Sequence, residues 1–188
     1  MSIRRVLAIA VLGSVALANA GAQAAGPPTL DGKKTKTLSA TFSPKAQDND
    51  KDFFGTSSDR TECSPDRCGR LPFVFKPAKG MKGNIAFTVT WSVPGEDFDL
   101  YVAQIAKDGS YSELTSCGAG AGTSEKVLLS SRDLTSGRKY ALVVDFYRAT
   151  GAGKVTGTVS FPGTGNIKTT VPAAAETAAG TKVNCGLG

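Results

Sequence analysis

The alternation of apolar and polar positions is most regular between residues 85 and 102. Successive side chains of a β-strand point to opposite faces, so apolar residues at every second position predict a strand with one buried face. The first such series is Ile85, Phe87, Val89 and Trp91, and the second is Phe98, Leu100 and Val102. Ser92, Pro94 and Gly95 lie between the two series and are typical of a turn. The pattern therefore predicts two strands joined as a hairpin, with Trp91 in the core.

The same alternation recurs at short spacing along much of the chain. Further strands are predicted at residues 35–42, 71–75, 125–130, 140–147 and 155–161. Turns are predicted at Asp108-Gly109 and at residues 134–137, and a flexible loop is predicted at residues 115–124. A succession of strands without helical crossovers predicts an all-β fold, an antiparallel and jelly-roll-like β-sandwich.

The polar face of the second strand of the hairpin carries Asp97, Asp99 and Tyr101. Two carboxylates that are two residues apart on a strand lie roughly 7 Å apart on one face. They repel each other unless water, a cation or a basic side chain separates them. Together with Glu96 and Asp145 they form a candidate set of oxygen ligands for calcium. We favour the alternative, in which these carboxylates hold turns and pair with Arg or Lys side chains.

The start of the chain predicts export. Arg4 and Arg5 precede an apolar stretch, residues 6–18, that is too short to span a bilayer comfortably. Cleavage sites of the small-x-small type end at Ala20 and at Ala24, and we favour a signal peptide at residues 1–24. Either the general secretory or the twin-arginine route fits. The mature protein is then expected to be secreted, without a membrane anchor. We expect a disordered lead-in at residues 25–34, a domain at 35–162 and a Gly/Ala-rich tail at 163–188.

The chain contains four cysteines, Cys63, Cys68, Cys117 and Cys185. An even number in an exported protein predicts two disulfides, for which three pairings exist. We favour Cys63 with Cys68, because that loop closes at low entropic cost, and Cys117 with Cys185, which tethers the tail. A zinc site is disfavoured, since the chain has neither a C-x-x-C pair nor a histidine.

Charge and composition narrow the chemistry. The chain has 22 Lys and Arg against 16 Asp and Glu, and these charges are dispersed along the sequence. Nucleic-acid binding would need a concentrated basic patch with interleaved aromatic residues, so it is not expected. The absence of histidine excludes a Ser-His-Asp triad, a Cys-His dyad and a histidine metal site. Paired carboxylates remain as the only candidate groups for hydrolysis.

The ordered motifs resemble the bacterial pre-peptidase C-terminal domain family. They are a strand at 87–91, D-F-D-L-Y-V at 97–102, Asp108-Gly109, a strand at 125–129, L-T-S-G at 134–137, a strand at 140–147 and one at 154–161. The resemblance covers residues 71–161 best and 35–70 poorly. It implies a jelly-roll-like β-sandwich of a kind usually appended to secreted hydrolases. Some members bind matrix proteins or polysaccharides, and some are linked to calcium.

These observations predict a secreted, non-catalytic module that binds an extracellular protein or polysaccharide and needs no cofactor. Tyr101 and Tyr147 fall on non-core faces of their strands and are the candidate ligand contacts. One alternative is a protease inhibitor that presents the Cys63–Cys68 loop with Arg67. Another is a small hydrolase that uses the carboxylates around Asp99.

Overall fold

The computed structural model describes residues 26–33, 37–48, 63–117 and 122–161. These residues contain no helix and are 57% strand, which confirms the predicted all-β class. They therefore include no apolar helix of membrane-spanning length. The predicted signal peptide and tail lie outside the described residues. The strands are β1 (Thr29–Leu30), β2 (Thr37–Phe42), β3 (Gln47–Asp48), β4 (Cys68–Phe75), β5 (Asn84–Trp91), β6 (Asp97–Ile105), β7 (Tyr111–Cys117), β8 (Ser124–Ser130), β9 (Lys139–Ala149) and β10 (Val155–Ser160).

The strands form two sheets that pack as a sandwich. The six-stranded sheet has the order β1-β4-β9-β6-β7, with β3 added to β9, and the four-stranded sheet has the order β2-β10-β5-β8. Only the β1–β4 pair is parallel among the pairs of described strands. The longer strands pair in a nested way, β2 with β10, β4 with β9, β5 with β8 and β6 with β7. This nesting is the jelly-roll arrangement that the sequence predicts.

The main core lies between the sheets and is built from the alternating positions. The two predicted apolar series of β5 and β6 are buried, and Trp91 lies in the core as expected. A row of aromatic rings crosses the core from Trp91 through Phe98 and Phe146 to Phe42. Successive ring centroids are 5.3, 5.9 and 6.3 Å apart. Because these rings come from both sheets, their contacts hold the two layers together.

The predicted hairpin of β5 and β6 is wrong. The two strands lie in different sheets, and the turn that joins them crosses from one sheet to the other. β5 pairs with β10 and β8, whereas β6 pairs with β9 and β7. A hairpin and a corner between sheets bury the same alternating side chains. The pattern therefore predicts the buried faces of both strands, but it does not distinguish the two connections.

Two segments predicted to be irregular form strands. Within the predicted lead-in, β1 pairs with β4, and Leu30 is fully buried in the main core. β7 continues to Cys117, so residues 115–117 of the predicted loop belong to a strand. Both segments contain too few apolar residues to show an alternation of their own. They are ordered by pairing with strands that are distant in sequence.

Candidate functional site

Strand register assigns the loops of the sandwich to two opposite ends. Val74 on β4 lies opposite Lys139 on β9, which lies opposite Ile105 on β6. At the other end of the same strands, Asp97 lies opposite Arg148. We call the end that contains Lys139 the basic end; its described segments are 31–33, 76–83, 106–110 and 131–139. We call the other the neutral end; its described segments are 43–48, 63–67, 92–97 and 148–154.

Glu96 joins two turns at the neutral end. Its side chain is only 2% exposed, and its Oε1 accepts hydrogen bonds from Thr150 N at 2.8 Å and from Thr150 Oγ1 at 2.6 Å. Gly153 leaves room for the carboxylate, because a Cβ at that position would lie 2.5 Å from Glu96 Oε2. The carboxylate thus connects the turn before β6 to the turn after β9, which is a structural role.

The other three candidate metal ligands lie further along the six-stranded sheet. Asp99 on β6 is directly opposite Asp145 on β9, and Asp145 is directly opposite Cys68 on β4. Asp145 is fully buried, whereas Asp97 and Asp99 are half-buried. Asp97 lies opposite Arg148, on the far side of a register shift that separates it from Asp99. The acidic row is therefore divided between two places on the sheet.

These carboxylates do not fit a calcium site. Calcium takes six to eight oxygen ligands, usually with several carboxylates among them. Within the described ranges, no three His, Cys, Asp or Glu side chains come together as a group that could hold a metal ion. Glu96 accepts its hydrogen bonds from Thr150, whereas Asp99 lies opposite Asp145 on the neighbouring strand. The candidate set of Glu96, Asp97, Asp99 and Asp145 is thus not brought together.

Calcium is expected to leave the melting temperature of the mature protein unchanged. A calcium site in the folded state, occupied at a hundred times its dissociation constant, would raise the unfolding free energy by about 2.7 kcal/mol. That corresponds to a shift of about 5–10 °C. We expect Asp99→Asn to change the melting temperature by the same amount in calcium and in chelator, because no group of carboxylates that could hold an ion forms around Asp99 among the described residues. Thermal melts of both proteins in both buffers test this, and a calcium-dependent rise that Asp99→Asn removes would contradict it.

The structure corrects the expectation that Tyr101 is accessible to a ligand. Tyr101 lies on the outer face of the six-stranded sheet, as the alternation predicts, but it is only 6% exposed. It belongs to a second apolar cluster on that face, which contains Cys63, Cys68, Tyr101, Ala103, Tyr111, Ala141 and Val143. Tyr147 is half-buried. Alternation identifies the face of a strand, but it does not show what covers that face.

The loop closed by Cys63 and Cys68 is fastened to the sheet. The predicted disulfide is confirmed, with 5.4 Å between the two Cα atoms. Ser64 O accepts hydrogen bonds from Arg67 N and Cys68 N, both at 2.9 Å, so the backbone is tightly turned. Arg67 is half-buried, and its carbonyl accepts a hydrogen bond from Phe146 N at 2.9 Å. This geometry disfavours the inhibitor alternative, because a loop that enters a protease must expose an extended backbone.

For the second predicted disulfide, the structure describes only one of the two cysteines, Cys117. Cys117 is disulfide-bonded, and its side chain lies in the main core. Cys185 lies outside the described residues, so the pairing of Cys117 with Cys185 stays a prediction.

A pocket of about 250 Å³ lies beside the loop of Cys63 and Cys68. The rings of Phe42 and Phe146 line it, together with Arg70. It lies near the neutral end, and Arg70 is the one charged residue among the described residues that line it.

The basic end carries a concentration of cations that was not predicted when the charges were counted along the sequence. Its described segments carry eight exposed basic side chains: Lys33, Lys76, Lys79, Lys82, Lys107, Arg132, Arg138 and Lys139. Only three carboxylates share these segments, Asp31, Asp108 and Asp133, which leaves a net charge of +5. The ion pairs between described residues lie elsewhere, so these eight cations face solvent.

The three carboxylates of the basic end are engaged within their own turns. Asp31 Oδ1 accepts a hydrogen bond from Lys33 N at 2.7 Å, and Asp133 Oδ2 accepts one from Ser130 N at 3.1 Å. Asp108 Oδ1 accepts hydrogen bonds from the Ser110 hydroxyl at 2.7 Å and from Ser110 N at 3.0 Å. These two bonds, the hydroxyl first, lower the pKa of Asp108. Each of the three carboxylates is therefore held within its own turn.

The neutral end is balanced. Its described segments carry four basic side chains, Lys45, Arg67, Arg148 and Lys154, and four acidic ones, Asp48, Asp66, Glu96 and Asp97. Lys45 pairs with Asp66 at 2.7 Å, and Arg148 pairs with Asp48 at 3.4 Å. The basic residues are scattered along the sequence, but in the folded domain they are concentrated at one end, so the interpretation of the charge as dispersed is wrong. Successive loops of an antiparallel sandwich alternate between its ends, so charges counted over alternate loops would have revealed the concentration.

Backbone hydrogen bonds fix three of the four described loops of the basic end to one another, while the loop at 106–110 is closed by bonds of its own. Ser131 N donates to Gly83 O at 2.9 Å, and Gly137 N donates to Phe75 O at 2.7 Å. Ala78 N donates to Asp31 O at 3.0 Å. The backbones that present the cations are thus preorganised, while the long side chains remain free to adapt.

No protein-family model matches the chain, and a search of curated proteins found no match. The resemblance to the pre-peptidase C-terminal domain family therefore stays a prediction that rests on the ordered motifs.

Proposed function

We propose that this protein is a secreted, non-catalytic β-sandwich module that binds an extracellular protein or polysaccharide through its basic end. The observation that carries the proposal is the unequal distribution of charge. The described segments of the basic end have a net charge of +5, and three of their four loops are bonded to one another, whereas the described segments of the neutral end have no net charge. A surface potential of one sign attracts an oppositely charged partner and orients it during the encounter.

Three further observations support this proposal. The predicted signal peptide and the Cys63–Cys68 disulfide fit an oxidising, extracellular location. The resemblance to pre-peptidase C-terminal domains supports a binding role. The candidate catalytic carboxylates are poorly placed for a substrate, since Glu96 bonds to Thr150 and Asp145 is fully buried.

A pair of triple variants tests the role of the basic end. The basic-loop variant combines Lys76→Ala, Lys79→Ala and Lys82→Ala. The control variant combines Lys45→Ala, Lys126→Ala and Lys154→Ala, which removes the same charge from outside the basic end. An exposed ion pair contributes about 0.2–1 kcal/mol, so three losses should weaken binding roughly tenfold.

Binding is measured to an immobilised panel of collagen, fibronectin, polygalacturonate and neutral dextran. At least one panel member should bind the mature protein, lose about tenfold in affinity with the basic-loop variant and change less than about twofold with the control variant. Binding that the two variants weaken equally, or that neither weakens, would overturn the proposal. Circular dichroism of both variants checks that the sheets are intact.

A further inference from the structure

We infer that the basic end binds a linear acidic polysaccharide, a chain that carries carboxylate or sulfate groups at repeated intervals. This inference rests on the proposed binding function and specifies the class of partner. It follows from the kind of cations at the basic end, from their spacing, and from the side chains that this end does not expose.

Most of the cations are lysines. Six of the eight are Lys, and the two arginines, Arg132 and Arg138, lie on the single loop between β8 and β9. A lysine ammonium group is a compact, strongly hydrated charge on a flexible stem, whereas the arginine fork recognises phosphate or carboxylate in a fixed bidentate geometry. A surface made mainly of lysines suits a partner whose anionic groups recur along a chain without one fixed orientation.

The cations are spread over separate segments of the basic end. Lys33, Lys107 and the lysines of residues 76–83 follow three different strands of the six-stranded sheet. Five neighbouring strands at about 4.8 Å spacing make this end about 20 Å wide. A small anion could contact one or two loops at a time, but a linear polymer can contact them together. Linked contacts of this kind raise the overall affinity without any single strong site.

The basic end lacks the apolar contacts that a protein partner would need. Energetically dominant residues of protein interfaces are enriched in Trp, Tyr and Arg that fill desolvated pockets. The aromatic residues nearest the basic end, Phe75, Tyr111 and Tyr140, are buried. Met81, the large apolar residue that is partly exposed in the described loops here, packs against the main core. The described surface thus offers charge without hydrophobic anchors.

The same features argue against single-stranded nucleic acid and against insertion into a lipid surface. Single-stranded nucleic acids are held by aromatic side chains on which bases stack, and the aromatic residues here are buried. Binding in the bilayer interface uses an apolar face that enters the acyl boundary, and Met81 is held by the core instead. A hydrophilic polyanion remains the best match.

The test uses the mature protein, the basic-loop variant and the control variant described above. The probes are polygalacturonate, which carries carboxylates, and dextran sulfate, which carries sulfates, each compared with neutral dextran. Duplex DNA and vesicles of phosphatidylglycerol and phosphatidylcholine are included at matched concentrations of anionic groups. Affinities are measured between about 50 and about 200 mM salt, because the logarithm of the affinity for a polyanion falls linearly with the logarithm of salt concentration.

We expect at least one acidic polysaccharide to bind and neutral dextran not to bind. The basic-loop variant should lose about tenfold in affinity and show a shallower salt dependence, while the control variant changes less than about twofold. Equal losses in both variants would show attraction to net charge alone and would overturn the inference. Tighter binding to DNA or to vesicles would assign the basic end to that class of partner and would also overturn it.

The outcomes separate this inference from the proposed function. If no acidic polysaccharide binds, but collagen or fibronectin binds and is lost only in the basic-loop variant, the inference fails and the proposed function stands. If neither a member of the panel nor dextran sulfate depends on the basic end for binding, both fail.

Discussion

Replacing Phe98 by alanine is expected to lower the unfolding free energy by about 3–5 kcal/mol. Phe98 is fully buried, and its ring packs edge-on against Trp91 at 5.3 Å and against Phe146 at 5.9 Å. Trp91 belongs to the four-stranded sheet and Phe146 to the six-stranded sheet, so filling the cavity would require the two sheets to move together. The melting temperature should fall by about 6–20 °C.

The fluorescence of Trp91 measures this effect directly. The chain contains one tryptophan, which is buried in the native state, so its emission should shift to the red on unfolding. Phe42→Ala is a matched control, because Phe42 ends the same row of rings but is half-exposed. We expect a loss of about 1–2 kcal/mol there, since less apolar surface leaves the core. Equal losses for the two substitutions would contradict a core centred on Phe98.

The buried faces of the strands could be predicted from the sequence because they are a local property. Each side chain of β5 and β6 alternates between the core and the outer face, and the apolar residues record that alternation directly. The turn at Gly95 could be predicted for a similar reason. Its φ of 86° lies in the left-handed region, which glycine adopts without a steric penalty.

The partners of the strands depend on residues far away in the sequence. The position of β5 beside β10 is decided by pairs such as Trp91 with Val155 and Phe87 with Val159. The alternation of apolar and polar residues in a strand does not depend on which strand pairs with it. It therefore could not show that β5 and β6 belong to different sheets. Tyr101 was misjudged for a related reason, since the cluster that covers it includes Cys63 and Tyr111 from other parts of the chain.

The charge of the basic end could have been predicted from the sequence if the basic residues had been counted for each end of the sandwich and not along the chain. Its cations lie in the loops after β1, β4, β6 and β8, with Lys139 at the start of β9. Read along the chain, acidic and balanced segments separate these loops, so the charge looks dispersed. Once alternate loops are assigned to one end, the same residues form a single surface.

Glu125 is a structural residue that the sequence reasoning missed. It occupies an inward position of β8, in alternation with Val127 and Leu129, and it is only 1% exposed. Its Oε2 accepts a hydrogen bond from Leu100 N at 2.8 Å. Leu100 lies on β6 in the opposite sheet, next to the register shift between Asp97 and Asp99. A charged residue at a position where the alternation requires an apolar one was the available signal.

Replacing Glu125 by leucine is expected to lower the unfolding free energy by about 2–3 kcal/mol, although leucine suits an apolar core. The side chains are similar in size, so packing changes little, and the loss includes the cost of the Leu100 N–H, which keeps its place in the core but loses its acceptor. Glu125→Gln retains an oxygen acceptor and should lose less than half as much. Chemical denaturation measures the three stabilities, and native-state hydrogen exchange should show faster exchange of the Leu100 amide in the leucine variant only. A leucine variant as stable as the wild type would show that this bond between the sheets contributes little to folding.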